Sequence, residues 1–249
     1  MRKTKIICTI GPACENEETL SAMCDAGMNV ARLNFSHGTH EEHLKKIALV
    51  KRVREVKRLP IAIMLDTKGP EYRIKTFRDG KITLKEGDLF TLTTEDVEGD
   101  ESRVSVTYKK LTEELTPGDT VLINNGLVIL KVKDISGTEI HCETLAGGVL
   151  SNRKSMNFPG KVLKQEYLSE QDKQDILFGI ENDVDFIAAS FVSCREDVQA
   201  LRDLLDANGG KNIDIIAKIE NRKGVEDIEE ICQVADGIMV ARGDRKSVV

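Results

Sequence analysis

Ile61-Ala-Ile-Met-Leu65-Asp66-Thr67-Lys68 runs through five apolar residues and then turns polar within one step. A strand with one wet face alternates apolar and polar residues. An unbroken apolar run of this length is what a parallel strand buried on both faces requires. Upstream, Thr39-His-Glu-Glu42 is a capping box that opens a helix running to about Lys57. Before it, Met28–Phe35 and Lys5–Ile10 read as strands, separated by a helix from about Glu17 to Ala26 that is acidic in its first turn and stopped by Gly27. The alternation returns downstream. Ser169-Glu-Gln-Asp172 caps a helix to about Ile180, strand Val184–Ala189 follows, and Ser193-Cys-Arg-Glu196 caps a helix to Leu205 that Asn208-Gly-Gly210 ends. Strand Ile213–Ile219, a helix near Val225–Gln233 and strand Gly237–Val240 complete the pattern. Units of this length predict parallel strands joined by helical crossovers.

Residues 70–159 have another texture. Asp79-Gly80, Glu86-Gly87, Pro117-Gly118, Asn125-Gly126, Ser136-Gly137 and Gly147-Gly148 punctuate short alternating runs such as Thr120-Val-Leu-Ile-Asn. Asn125-Gly126 between two β-rich runs signals a type I′ hairpin turn. This stretch reads as a small all-β domain inserted after the third strand of an α/β domain made of 1–69 and 160–249.

Polar residues of unusual type gather just past the C-terminal ends of the strands. Arg32, Asn34 and Ser36 share one face at the end of the second strand, with Leu33 and Phe35 on the other; Asp66, Thr67 and Lys68 follow the third. Lys218 and Glu220 end the fifth strand on a common face, and Arg242-Gly243-Asp244 ends the sixth. In a (β/α)8 barrel the strand C-termini converge on one mouth, where active sites lie. The expected fold is therefore a partial (β/α)8 (TIM) barrel of strands one to six with the β domain inserted after strand three. Two carboxylates, Glu220 and Asp244, brought together from neighbouring strands repel unless a cation or proton lies between them. Their hard oxygens suit Mg2+ or Mn2+ better than zinc.

Composition narrows the remaining classes. The 249 residues carry a net charge of −6, which argues against nucleic acid or an anionic membrane as partner. Six cysteines at 8, 14, 24, 142, 194 and 232 form no C-x-x-C pair and read as reduced thiols of a cytoplasmic protein. The apolar run Ile6–Ile10 is too short for a signal peptide and is cut by Gly11-Pro12. His40-Glu-Glu-His43 lacks the i,i+4 histidine spacing of a zinc protease and reads as a surface helix. No Walker or Rossmann glycine loop is present. The basic cluster Lys51-Arg-Val-Arg54 and Lys57-Arg58 reads as the solvated end of a helix.

At these positions the sequence resembles the pyruvate kinase family. The resemblance rests on Lys5-Ile-Ile-Cys-Thr-Ile-Gly-Pro12, Gly27-Met-Asn-Val-Ala-Arg-Leu-Asn-Phe-Ser-His-Gly38, Leu65-Asp-Thr-Lys-Gly-Pro-Glu71, Asp185-Phe-Ile-Ala-Ala-Ser-Phe191, Ile216-Ala-Lys-Ile-Glu-Asn221 and Gly237-Ile-Met-Val-Ala-Arg-Gly-Asp244, in order over 5–244. It implies transfer of a phosphoryl group from phosphoenolpyruvate to ADP, giving pyruvate and ATP. Arg32 and Lys218 would be catalytic, with the Gly243 N–H and Asp244 also at the substrate. Asn34, Phe35, Ser36, His37, Arg73 and Lys154 would contact the nucleotide. Glu220 and Asp244 would hold Mg2+, and Asn34, Ser36, Asp66 and Thr67 would hold K+. The resemblance further implies a homotetrameric parent.

The sequence departs from the family at Tyr72, at Asn124-Asn125 in place of two aspartates, and at Cys14. It also departs after Asp244, where Arg245-Lys-Ser-Val-Val249 replaces the continuing barrel. The expectation is of a partial chain, without the last two strands and the C-terminal domain, and with little activity of its own. Two other readings stay open: a Mg2+-dependent lyase or aldolase acting on pyruvate-like acids, and a non-catalytic ligand-binding fragment.

Overall fold

The structure, a computed structural model, describes residues 3–161, 163–164 and 166–240. The chain forms two compact units, one of residues 1–70 with 166–249 and one of residues 71–165.

In the first unit, β1 (Ile7–Thr9), α1 (Glu17–Asp25), β2 (Val30–Asn34), α2 (His40–Lys57) and β3 (Ala62–Asp66) precede the insertion. The inserted unit carries β4 (Lys81–Leu84), β5 (Leu89–Thr93), β6 (Arg103–Ser105), α3 (Leu111–Glu114), β7 (Thr120–Ile123), β8 (Val128–Ser136), β9 (Glu139–Ala146), β10 (Gly148–Ser151) and β11 (Met156–Asn157). The first unit then resumes with α4 (Glu170–Glu181), β12 (Phe186–Ala189), α5 (Arg195–Ala207), β13 (Asp214–Ile219), α6 (Arg222–Glu226), α7 (Ile228–Cys232) and β14 (Gly237–Val240).

The six strands of the first unit lie in the order β1-β2-β3-β12-β13-β14, every neighbour parallel, as the strand-helix alternation predicts for a partial (β/α)8 barrel. Sequential strands are neighbours across the insertion as well: β3 pairs with β12, so the inserted unit interrupts the chain but not the sheet. The main core lies between the sheet and its helices. Leu33, Ile63, Leu65, Ile187 and Ala217 from the strands pack with Leu20, Ile47, Val50, Ile176, Val198 and Leu201 from the helices. Among the described residues, no helix is long and apolar enough to cross a membrane.

Helix starts follow the sequence closely. Thr39 Oγ1 accepts the Glu42 N–H at 3.3 Å while the Glu42 carboxylate accepts the Thr39 N–H at 2.7 Å. Ser169 and Asp172 form the same reciprocal box at α4. The start of α5 moves by one residue: Cys194 is the cap, and the Asp197 carboxylate accepts the Ser193 and Cys194 N–H groups. The single helix expected near 225–233 is instead two short ones that meet at Asp227. Asn221 starts the first early by accepting the Gly224 N–H at 2.8 Å. Gly224 has no room for a side chain, since a Cβ there would lie 2.5 Å from the Val192 carbonyl oxygen.

The inserted unit is built on a sheet of order β11-β7-β8-β9-β5-β6 with a separate β4–β10 pair, closed around Phe90, Leu92, Val121, Ile123, Leu130 and Ile140. At the β7–β8 turn, Asn125 and Gly126 both have positive φ, as a type I′ turn requires, but the loop is longer than a two-residue hairpin. Ile123 pairs with Val128, and Asn124 also takes a positive φ of 54°.

Thr39→Ala should cost about 1 kcal/mol of stability in urea denaturation, the usual worth of an N-cap hydroxyl, while Thr39→Ser stays near the parent. Equal midpoints for all three proteins would show that the box contributes nothing.

Candidate active site

Side chains on one face of a strand recur every second residue, and that period builds this site. On the sheet face away from the main core, Val30, Met64 and Ala188 form a small buried cluster, with Phe186, Ile216 and Met239 packed against it. Two residues further toward the C-terminal ends of β2, β3, β12 and β13, the same face carries Arg32, Asp66, Ser190 and Lys218. An apolar floor therefore lies directly beneath a polar layer.

That layer is tightly cross-linked. Asp66 is 1% exposed; its Oδ2 accepts from Arg32 Nε at 2.5 Å and its Oδ1 accepts from Lys218 Nζ at 3.0 Å. Arg32 also donates to Thr9 Oγ1 at the end of β1, at 2.6 Å. Lys218 is 7% exposed and donates to Ser190 Oγ at 2.7 Å, with Glu220 Oε1 at 3.2 Å. The second Glu220 oxygen accepts the Phe191 N–H at 2.9 Å. Phe191 holds a left-handed backbone, φ 57°, a strained geometry for a bulky residue that orients this N–H. The ammonium donates hydrogen bonds to Asp66 and Ser190, and the Glu220 carboxylate forms an ion pair with it. Two cations face two carboxylates, which offsets the cost of removing them from water.

The remaining predicted residues fall around this layer. Asn34 lies opposite Asp66 in the β2–β3 register, and its side-chain oxygen accepts the Ser36 N–H at 3.1 Å. Thr67 is buried, and its Oγ1 accepts the Ser190 N–H at 3.1 Å. Phe35 is buried; Ser36 and His37 are exposed. Arg73 and Lys154 belong to the other unit, on adjoining segments: Ile74 N–H donates to the Lys154 carbonyl at 3.0 Å, and Arg73 donates to the Arg153 carbonyl at 2.6 Å. The Arg73 guanidinium is held in a two-point pair by Glu71. Gly243 and Asp244 lie outside the described residues.

Three contributors went unnoticed in the sequence. Ser190 is one; its position two residues after Ala188 on the inner face was the available signal. Tyr167 is another: burial pushes its hydroxyl well above the ordinary range, so it stays protonated and donates to the Ser190 carbonyl at 2.9 Å. The third corrects the surface reading of His40-Glu-Glu-His43. His43 is 2% exposed, stacks on Phe35 at 3.8 Å and bonds through Nε2 to the His37 carbonyl at 2.9 Å, so it pins the loop after β2. His40 bonds to the buried Asp175 at 2.6 Å. Both histidines are occupied structurally. Among the described residues no group of three or more His, Cys, Asp or Glu is placed to hold a metal. A surface cleft lined by Lys51, Arg54, Asp183 and Asp185 lies at the opposite, N-terminal strand ends, where Lys51–Asp183 and Arg54–Asp185 neutralise each other.

The sequence matches the family described as "Pyruvate kinase, barrel domain" over residues 1–246. The chain belongs to the pyruvate kinase family. It is 47% identical over 245 residues to the pyruvate kinases of Clostridium perfringens and Clostridium acetobutylicum, covering 98% of this chain and 52% of each relative. It is 49% identical over 246 residues to the pyruvate kinase of Staphylococcus haemolyticus, covering 98% of this chain and 42% of that relative. The chain thus spans about half the length of the curated relatives it matches. In this pyruvate kinase-family chain the cross-linked layer sets Arg32 and Lys218 against Asp66 and Glu220 at the strand ends.

Burial lowers the His43 pKa from its ordinary 6.5, because the charged ring would put a second N–H, on Nδ1, into a place with no acceptor. The unfolded chain then binds the proton first, so stability is full above pH 6.5 and is lost as pH falls below it. The stability difference between the parent and His43→Phe should be constant at neutral pH and shift against the parent on acidification. A difference independent of pH would refute this role of burial.

Proposed function

We propose that the chain carries the N-terminal share of a phosphotransferase site that moves a phosphoryl group from phosphoenolpyruvate to ADP, yielding pyruvate and ATP. The observation that carries this reading is Lys218, a buried ammonium anchored at the strand ends between two carboxylates, in a chain of this family. Phosphoryl transfer needs positioning and charge neutralisation more than covalent chemistry. Lys218 is fixed where negative charge would develop on the transferring group and the enolate. Arg32 supplies a second cation beside it, already oriented by Asp66 and Thr9. At about 4 Å a lysine contributes roughly 4 kcal/mol at an effective dielectric of 20. That corresponds to about a thousandfold in rate.

The donor set fits the cations that the family resemblance implies. Glu220 is anchored at one oxygen by the Phe191 N–H and at the other by its ion pair with Lys218, and keeps lone pairs for a hard cation. Asn34 and Asp66, paired in register, offer oxygens with Thr67 beside them, a set suited to a large monovalent cation. Mg2+ or Mn2+, held by Glu220 and Asp244, would supply neutralisation of the phosphoryl oxygens, and K+, held by Asn34, Ser36, Asp66 and Thr67, a fixed positive charge. Gly243 would offer its N–H to the substrate carboxylate. Asn34 to His37 would meet the nucleotide from the loop that His43 pins, and Arg73 and Lys154 would contribute from the inserted unit. The whole protein would act in the cytoplasm, as a homo-oligomer.

The test is ATP formation from phosphoenolpyruvate and ADP by the chain joined to the remaining half of a family member. Lys218→Met should lower kcat by about a thousandfold or more while Mn2+ binding is retained, because the ammonium acts on charge that appears in the transition state. A variant altered only in KM would contradict that role.

A further inference from the structure

We propose that Ser190 is a positioning residue for Lys218, the neutral acceptor that fixes the direction of its ammonium. The inference rests on the reading of Lys218 as the cation that meets the transferring group. A lysine ammonium is a compact charge on a flexible stem, and carboxylates attract it without selecting one orientation. Here Asp66 is shared with Arg32, and Glu220 is the more distant carboxylate at 3.2 Å. The shortest contact of the ammonium is the one to Ser190 Oγ, at 2.7 Å.

Ser190 can perform this role because it is itself immobilised. It is 2% exposed. Its hydroxyl lies 2.6 Å from the Thr67 carbonyl oxygen and 3.1 Å from Asp66 Oδ1, and the one hydroxyl hydrogen goes to the nearer acceptor. A lone pair is then turned toward Lys218. The Ser190 N–H donates to Thr67 Oγ1, and its carbonyl accepts the Tyr167 hydroxyl. Gly69 packs against the same carbonyl so closely that a Cβ there would lie 2.8 Å from it. The hydroxyl thereby connects the end of β3, through Thr67, to the lysine of β13. It does so without adding a third negative charge, which would draw the ammonium away from an incoming anion.

The experiment is hydrogen exchange at the Lys218 ammonium, read by NMR in the full chain carrying 15N-labelled lysine and assigned with Lys218→Arg. The parent should show a slowly exchanging Lys218 signal set apart from the surface lysines. Ser190→Ala should speed its exchange about tenfold, the effect of losing one hydrogen bond to a charged group, with the other lysine signals unmoved. Tyr167→Phe, which loosens Ser190 without touching the lysine, should speed it about threefold; it carries the test alone if Ser190→Ala does not fold. Unchanged exchange in the folded variants would overturn the proposal. So would a parent Lys218 exchanging as fast as surface lysines. The readout involves no phosphoryl transfer, so failure here and failure of the functional reading remain distinguishable.

Discussion

Lys218 brings a positive charge into a site 7% exposed, and a buried charge of that kind costs several kcal/mol unless partners are waiting. Two partners come from distant parts of the sequence, Asp66 from the third strand and Ser190 from just past the fourth, while Glu220 follows two residues after Lys218 itself. Only a sheet that sets β3, β12 and β13 side by side can assemble them. Much of the first unit can be understood as serving that assembly. The helices hold the outer face, the apolar floor of Val30, Met64 and Ala188 excludes water below, and the strand ends carry the ionic layer above.

The insertion imposes a second demand, because the chain leaves the first unit at the end of β3, next to Asp66. The exit and the return are gripped by a single residue. The Asp172 carboxylate accepts the Gly69 N–H at 3.0 Å, where the chain departs, and caps α4 through Ser169, where it comes back. A helix cap thus doubles as the tie that keeps Asp66 and Thr67 in place despite the interruption. Tyr167, on the returning segment, extends the same support to Ser190.

Much of this was legible in the sequence, for reasons that can be located. The unbroken apolar run Ile61–Leu65 declared a doubly buried parallel strand, and capping boxes at Thr39 and Ser169 gave two helix starts to the residue. Polar residues at strand ends announced Arg32, Asp66, Lys218 and Glu220 as a group, since period two fixes which side chains share a face. Ser190 escaped because a lone serine after alanines carries no charge to attract notice, and its importance lies in whom it touches. His43 escaped because its helix also presents Glu41, Glu42 and Lys45, so the local pattern reads as solvated while the tertiary fold buries that one ring under Phe35. The break at Asp227 depends on the close approach of Gly224 to Val192, a contact that local propensity does not encode.

The strand-end layer around Lys218 is the proposed place of a metal-assisted phosphoryl transfer. Anomalous diffraction from crystals of the chain equilibrated with Mn2+ tests it most directly, because the ion reports its own position. The expected result is a peak bonded to the Glu220 carboxylate, on the same face of the sheet as the Lys218 ammonium. A peak elsewhere on the molecule, or a crystal with no ordered Mn2+ at saturating concentration, would contradict it.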